Sequence, residues 1–262
     1  MDIKDKVVVV TGGGNGIGKA LCERFYREGA KAIAVVDLEK DCAEAVAQAI
    51  GGMAFDVDVT DEAQIQAMVA EVEAEHGYID LVCSNAGVVF GDPAPGWVTS
   101  AANERWQLSW EVHVMAHVYA ARAALPKMIE RGSGYFMNTV SAAGLLNQIG
   151  DTAYTTTKHA AIGFAESLAI THGDDGIKIS VLCPQAVATR MANQLKGSGT
   201  NVSHVDGVLT PEQVADAVVK GIGDEKFLIL PHSEVEGYRQ RKASDYDRWL
   251  RGMRRLFRSW TQ

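Results

Sequence analysis

Val7-Val8-Val9-Val10-Thr11-Gly12-Gly13-Gly14-Asn15-Gly16-Ile17-Gly18 runs four valines into a glycine-rich turn. Branched valines favour a strand, and an unbroken apolar run suits a strand covered on both faces. The glycines allow a tight turn and leave backbone amides open at the start of a helix, whose positive end favours a pyrophosphate. The spacing reads TGxxxGxG, and the more familiar GxGxxG is one way of reading the same overlapping glycines. Gly12, Asn15, Gly16, Ile17 and Gly18 are therefore assigned to a dinucleotide. A plain strand-to-helix connection could carry such glycines too; the place after the first strand of a βαβ unit favours the phosphate reading.

Outward from that turn, short runs rich in β-branched residues alternate with longer amphipathic stretches, the pattern of βαβ units around a parallel sheet. Strands are predicted near Val7 to Thr11, Ala32 to Val36, Met53 to Val57, Leu81 to Ser84, Gly134 to Ser141, Lys178 to Cys183 and Phe227 to Leu230. Helices are predicted over Asp61 to Glu75, Asn103 to Arg131 and Tyr154 to His172. The alternation reaches Leu230 without a linker or repeat, which predicts one domain over 1–262. Its expected class is α/β: a Rossmann-like, doubly wound, mostly parallel seven-stranded sheet with helices on both faces. Two stretches break the rhythm, Gly87 to Ala102 and Ala186 to Thr210. Both follow strands, at the edge where open α/β sheets bind ligands, and 190–210 reads as a variable substrate loop.

Asp37 follows the second strand at the distance expected of a carboxylate that receives an adenosine ribose. It would repel a 2′-phosphate, and neither Asn15 nor Leu38 offers a cation for one, so NAD is expected rather than NADP. The same carboxylate also suits a cap on a helix starting near Leu38. A net charge of -8 argues against nucleic acid on the body of the protein. Cys22, Cys42, Cys83 and Cys183 lie far apart with no CxxC pair, which predicts reduced packing residues. The start runs into an apolar strand with no signal peptide, and no apolar stretch is long enough to span a bilayer, so a cytoplasmic location is expected.

Chemistry enters at Tyr154-Thr155-Thr156-Thr157-Lys158, with Ser141 upstream in Thr139-Val140-Ser141-Ala142-Ala143-Gly144. On a helix the four-residue spacing puts phenol and ammonium on one face. Moving a tyrosine from about 10 towards neutrality takes roughly 3 pKa units, about 4 kcal/mol. One cation about 4 Å away supplies roughly that at an effective dielectric near 20. A phenol so tuned can exchange a proton with an alcohol. Alone the pair is common on surface helices; Ser141 and the glycine turn give it meaning.

In order along the chain, these motifs, with Asp58-Val59 after the third strand and Ser84-Asn85-Ala86-Gly87 after the fourth, resemble the short-chain dehydrogenase/reductase family in its single-domain oxidoreductase branch. The resemblance covers Lys6 to about Thr189. It implies that Asp58 and Val59 contact the adenine and that Asn85, Ala86 and Gly87 pass the cofactor's ribose. It further implies that Tyr154 and Lys158 bond the nicotinamide ribose, that Val187 and Thr189 hold the carboxamide, and that the chain forms a homotetramer or homodimer. Asn85 could instead stabilise a turn, and Thr189 could cap the segment after it. Two positions depart from the family's pattern. His113 stands where the family has an asparagine supporting a water-linked proton path to the lysine; a histidine donates or accepts through either ring nitrogen, so the path would survive in altered form. Gln185 follows Pro184 where the family usually has glycine, and must accept that backbone geometry or use its side chain. His113 and His117 lie four apart, but no HExxH pattern or third ligand accompanies them, so no metal is expected.

The expected reaction is reversible NAD-dependent oxidation of a secondary alcohol to a ketone: Ser141 bonds the substrate oxygen, Tyr154 is the general base, and Lys158 lowers its pKa. Val88, Val89, Trp97, Leu145, Leu146, Ile149 and Met191 are apolar, with Gln148 and Gln185 as polar exceptions, which predicts a hydrophobic alcohol or ketone. In the tail, 235–262, arginines accompany Trp249, Met253, Leu256 and Trp260 at helical spacing. A basic amphipathic helix is expected there, docked on the body or a neighbouring subunit and not on a membrane. The competing reading is a non-catalytic regulator that senses NAD(H), which His113 and Gln185 keep open and Ser141, Tyr154 and Lys158 oppose.

Overall fold

Four valines carry β1 (Val7–Thr11) through the middle of the protein, and every residue of the strand is buried. The computed structural model describes residues 1–194 and 206–261. After β1 come α1 (Gly16–Arg27), β2 (Ala32–Asp37), α2 (Lys40–Ile50), β3 (Met53–Asp56), α3 (Glu62–His76) and β4 (Leu81–Ser84). The chain continues through α4 (Asn103–Trp110), a π-turn (Glu111–Met115), α5 (Ala116–Arg131), β5 (Gly134–Thr139), a 3-10 turn (Ala142–Gly144) and α6 (Thr152–His172). It closes with β6 (Ile177–Leu182), α7 (Arg190–Gln194), α8 (Pro211–Gly223), β7 (Leu228–Ile229), α9 (Glu234–Ser244) and α10 (Tyr246–Thr261).

The sheet is Rossmann-like, in the order β3-β2-β1-β4-β5-β6-β7. Every pairing is parallel, so the sheet is more uniform than the mostly parallel one expected. Strand order reverses between β1 and β4, which opens a crevice at their carboxyl ends. Side chains of alternate parity point to opposite faces. Val7, Val9, Val82, Phe136 and Val181 pack with α3, α5 and α6. Val8, Val10, Leu81, Met137 and Leu182 pack with α1, α2 and α8.

Several boundaries differ from expectation. β5 stops at Thr139, because Ser141 opens the 3-10 turn and its Oγ accepts from Ala143 N at 3.1 Å. β7 is only Leu228–Ile229. The long helix from Asn103 is interrupted by the π-turn, which carries His113 into the interior. The tail forms two helices, since Asp245 is extended and accepts from Arg248 N at 2.9 Å as the next helix begins. Of the variable loop, 195–205 lie outside the described residues, as does Gln262. No helix among the described residues is long and apolar enough to cross a membrane.

Candidate active site

Gly12 (φ 63°) and Gly16 (φ 51°) adopt left-handed conformations that L side chains avoid. Gly18 presses on the first limb of the same turn: a Cβ there would lie 2.0 Å from Gly12 O. Asn15 precedes α1 without a side-chain cap, so the first amides of that helix keep their donors and positive field for an anion. Ile17 anchors the turn on the core beneath it. Asp37 ends β2, with Oδ2 accepting from Gly14 N at 2.9 Å and Oδ1 from Glu39 N at 3.0 Å. It does not cap α2, whose N-cap is Glu39; it ties its own turn to the glycine loop.

Across the crevice, Asn85 spends its side chain on the frame. Its Nδ2 donates to Thr11 O at 3.1 Å and its Oδ1 accepts from Thr139 Oγ1 at 3.0 Å, joining the ends of three strands. Ala86 Cα lies 3.0 Å from where a Cβ of Gly12 would sit, and Thr189 Cγ2 lies 3.2 Å from that of Gly16. Thr189 also caps α7, its Oγ1 accepting from Ala192 N at 3.3 Å, while Val187 is buried and bridges to Leu209. Asp58 Oδ1 accepts from Thr60 N at 2.9 Å and from Thr60 Oγ1 at 2.8 Å, with Val59 packed on the core edge. The groove thus offers an uncapped helix start, side-chain-free backbone and a carboxylate, a set that fits a dinucleotide.

At the other end of the groove, α6 presents Tyr154 and Lys158 one turn apart. Lys158 Nζ lies 5.5 Å from the Tyr154 ring centroid and donates to Thr139 O at 3.0 Å. The Ser141 hydroxyl draws the phenol's pKa down, but burial outweighs it and pushes Tyr154 up to about 12. Part of the Tyr154 side chain is still open to solvent. Burial also holds Lys158 down to about 7. Lys158 is not among the groups that move the Tyr154 phenol in the protein alone: its amine rests on the Thr139 carbonyl, and burial disfavours its charge.

His113 is held through both ring nitrogens. Its Nε2 accepts from Val88 N at 3.1 Å, so Nδ1 carries the proton and faces Thr157 Oγ1 at 2.9 Å. Thr157 Oγ1 donates to Ala153 O at 2.9 Å, where the chain of donors ends. Desolvation holds the ring's pKa well below the usual histidine value, and the ring meets Tyr154 edge-on with centroids 5.3 Å apart. A neutral ring with both nitrogens committed braces the Val88 loop against α6.

A family model described as short chain dehydrogenase matches residues 6–198. The chain belongs to the short-chain dehydrogenase family. It is 34% identical over 243 residues to a 1-deoxy-11-beta-hydroxypentalenate dehydrogenase of Streptomyces exfoliatus, covering 90% of this chain and 86% of that protein. It is 34% identical over 196 residues to a meso-2,3-butanediol dehydrogenase of Serratia marcescens, covering 74% of this chain and 76% of that one. A solved short chain dehydrogenase/reductase from Burkholderia phymatum, in complex with NAD, superposes with a TM-score of 0.82 at 25% identity, covering 94% and 96% of the two chains. The protein is an oxidoreductase.

Two buried carboxylates of this short-chain dehydrogenase escaped the sequence reading. Asp151 caps α6 by accepting from Tyr154 N at 3.1 Å, while its Oδ2 accepts from Phe90 N at 3.2 Å and Gly91 N at 2.9 Å. Asp92 answers by accepting from Thr152 N at 3.1 Å and Thr152 Oγ1 at 2.9 Å. Together they stitch the loop after β4 to the helix start that carries Tyr154. An aspartate three residues before the tyrosine is a legible cap signal; its reach to Phe90 and Gly91 is not. His232 was also missed: its Nδ1 accepts from Gln185 N at 3.2 Å and holds the backbone at the position where the family usually has glycine.

The predicted substrate residues divide. Met191 Cε approaches to 3.6 Å from where a Cβ of Gly87 would sit, beside His113. Leu145 packs on a cluster with Leu146, Val235 and Trp249. Gln148 N donates to Thr155 Oγ1 at 2.8 Å, the Gln185 Oε1 is buried, and Val89 is half-buried on the same loop as Val88. Trp97 does not join them: its side chain is 68% exposed.

Proposed function

We propose that this short-chain dehydrogenase catalyses reversible NAD-dependent oxidation of a hydrophobic secondary alcohol to a ketone. The observation that carries the reading is the convergence of Ser141, from the end of β5, with Tyr154 and Lys158 on one face of α6, at the end of a groove suited to a dinucleotide. Ser141 bonds the substrate oxygen and Tyr154 accepts the alcohol proton. NAD, when bound, would supply the hydride acceptor for the carbinol hydrogen and a positive charge favouring the phenolate that burial disfavours. Lys158 and Tyr154 hold the nicotinamide ribose, Asp37 the adenosine ribose, Asp58 and Val59 the adenine, and Val187 and Thr189 the carboxamide. Ala86 and Gly87 pass the cofactor through their backbone. His113 holds the Tyr154 ring and the Val88 loop in place. The chain works as a homodimer or homotetramer in the cytoplasm.

The test follows NADH absorbance with NAD, and with NADP as control, across a panel of apolar secondary alcohols. Tyr154→Phe is expected to retain less than about 1% of turnover, as loss of an essential general base predicts, with NAD affinity nearly intact. Full activity in that variant would sink the mechanism. Tight NAD binding with no turnover on any alcohol or ketone would favour the regulator instead.

A further inference from the structure

Helix α9 and the residues just before it send a side chain to each of three loops around the reacting centre. Lys242 Nζ donates to Leu145 O at 2.8 Å and to Leu146 O at 2.9 Å, and lies 3.4 Å from His159 Nε2. His159 Nδ1 sits 2.9 Å from Thr155 O, which places its proton on Nδ1 and leaves Nε2 to accept. All three ammonium donors are therefore engaged, two on the stretch just past Ser141 and one on α6 beside Lys158. The carbonyls they meet follow a 3-10 turn, whose last acceptors need partners from outside the turn. One turn earlier on α9, Tyr238 donates to Asp206 Oδ1 at 2.9 Å, where the chain returns from the variable segment. Ahead of the helix, His232 accepts from Gln185 N. Val235 is buried beneath this arrangement against Leu146.

We propose that Lys242 is a positioning residue that fixes the Leu145-Leu146 wall of the alcohol site, and that α9 thereby sets substrate selectivity. The idea rests on the alcohol oxidation proposed above. A charge-assisted bond to two successive carbonyls fixes where Leu145 lies relative to Ser141, so loosening it alters the fit of the alcohol and not the proton transfer.

The experiment compares Lys242→Met and Lys242→Arg in the full chain. In Lys242→Met the KM for the best apolar alcohol rises at least about fivefold while kcat stays within about twofold, the signature of lost uniform binding. NAD affinity is unchanged, and Lys242→Arg, which still donates to both carbonyls, recovers most of the loss. Hydrogen exchange supplies a readout independent of activity: the 142–150 segment exchanges faster in Lys242→Met, whereas 11–19 does not. Unchanged exchange at 142–150 overturns the proposal, as does faster exchange throughout the sheet with weaker NAD binding, which marks a general stabilising role. If the wild-type protein oxidises no alcohol, the functional reading fails, and the exchange measurement alone decides whether Lys242 positions the loop.

Discussion

Tyr154 carries the sharpest tension at the residue scale. It must give up its proton to act as a base, yet burial pushes it up to about 12 and holds the neighbouring Lys158 down to about 7. The Tyr154 to Lys158 spacing predicts a full cation beside the phenol; the folded protein keeps that amine on the Thr139 carbonyl. In the proposed reaction, positive charge brought by the cofactor would favour the phenolate. At the other end of the groove, Asp37 is oriented by Gly14 N and Glu39 N. Asp37→Ala removes an ionised acceptor worth about 1.5–3 kcal/mol per hydrogen bond. NAD affinity is therefore expected to fall about 10- to 100-fold, and the preference for NAD over NADP to shrink with it. Initial rates with each cofactor measure this, and an unchanged preference would remove Asp37 from the ribose site.

Among the elements, the start of α6 is tied to a loop that is remote in sequence. Asp151 binds Tyr154 N on its own helix and Phe90 N and Gly91 N on the loop after β4. In Asp151→Ala three donors, one buried and two part-buried, lose their acceptor, which costs about 2–4 kcal/mol. Urea unfolding should report that loss, and turnover should fall by about tenfold or more as Tyr154 loses its fixed approach. Asp151→Asn keeps one acceptor oxygen and is expected to fall between the two. The π-turn at Glu111–Met115 is the other element-level device, since one extra residue in a turn turns His113 inward. Apolar periodicity cannot register so small an insertion, so the sequence predicts a plain helix there.

For the whole molecule, buried neutral histidines contribute a sensitivity to acid. His117 is fully enclosed on the sheet side of α5, beside His113 and within the field of Lys158, and burial lowers its pKa from 6.5 to about 3. The unfolded chain binds a proton at this residue near 6.5 and the folded chain only near 3, so stability is lost as pH falls through that window. Each such histidine contributes a slope of about 1.4 kcal/mol per pH unit. Urea unfolding between pH 7 and 4 should show stability dropping in the wild-type protein and dropping less steeply in His117→Leu. Parallel curves for the two would mean that His117 takes up its proton without unfolding.

Much of this protein is legible in the sequence because the relevant signals are local. The valine run and glycine turn, the β-branched strands and the Tyr154 to Lys158 spacing depend on neighbours within one strand, turn or helical turn, where backbone geometry leaves few options. Those signals determined the sheet, the place of Asp37 at the end of β2 and the helix that sets Tyr154 and Lys158 one turn apart. Tertiary structure decided the rest. That His113 braces the loop after β4 depends on where Val88 N and Thr157 Oγ1 come to lie. Asp151 meets Gly91 across 60 residues and Lys242 meets Leu145 across 97. Contacts at such separations leave no period or motif in the chain; they exist only once the packed sheet has brought its loops to one edge.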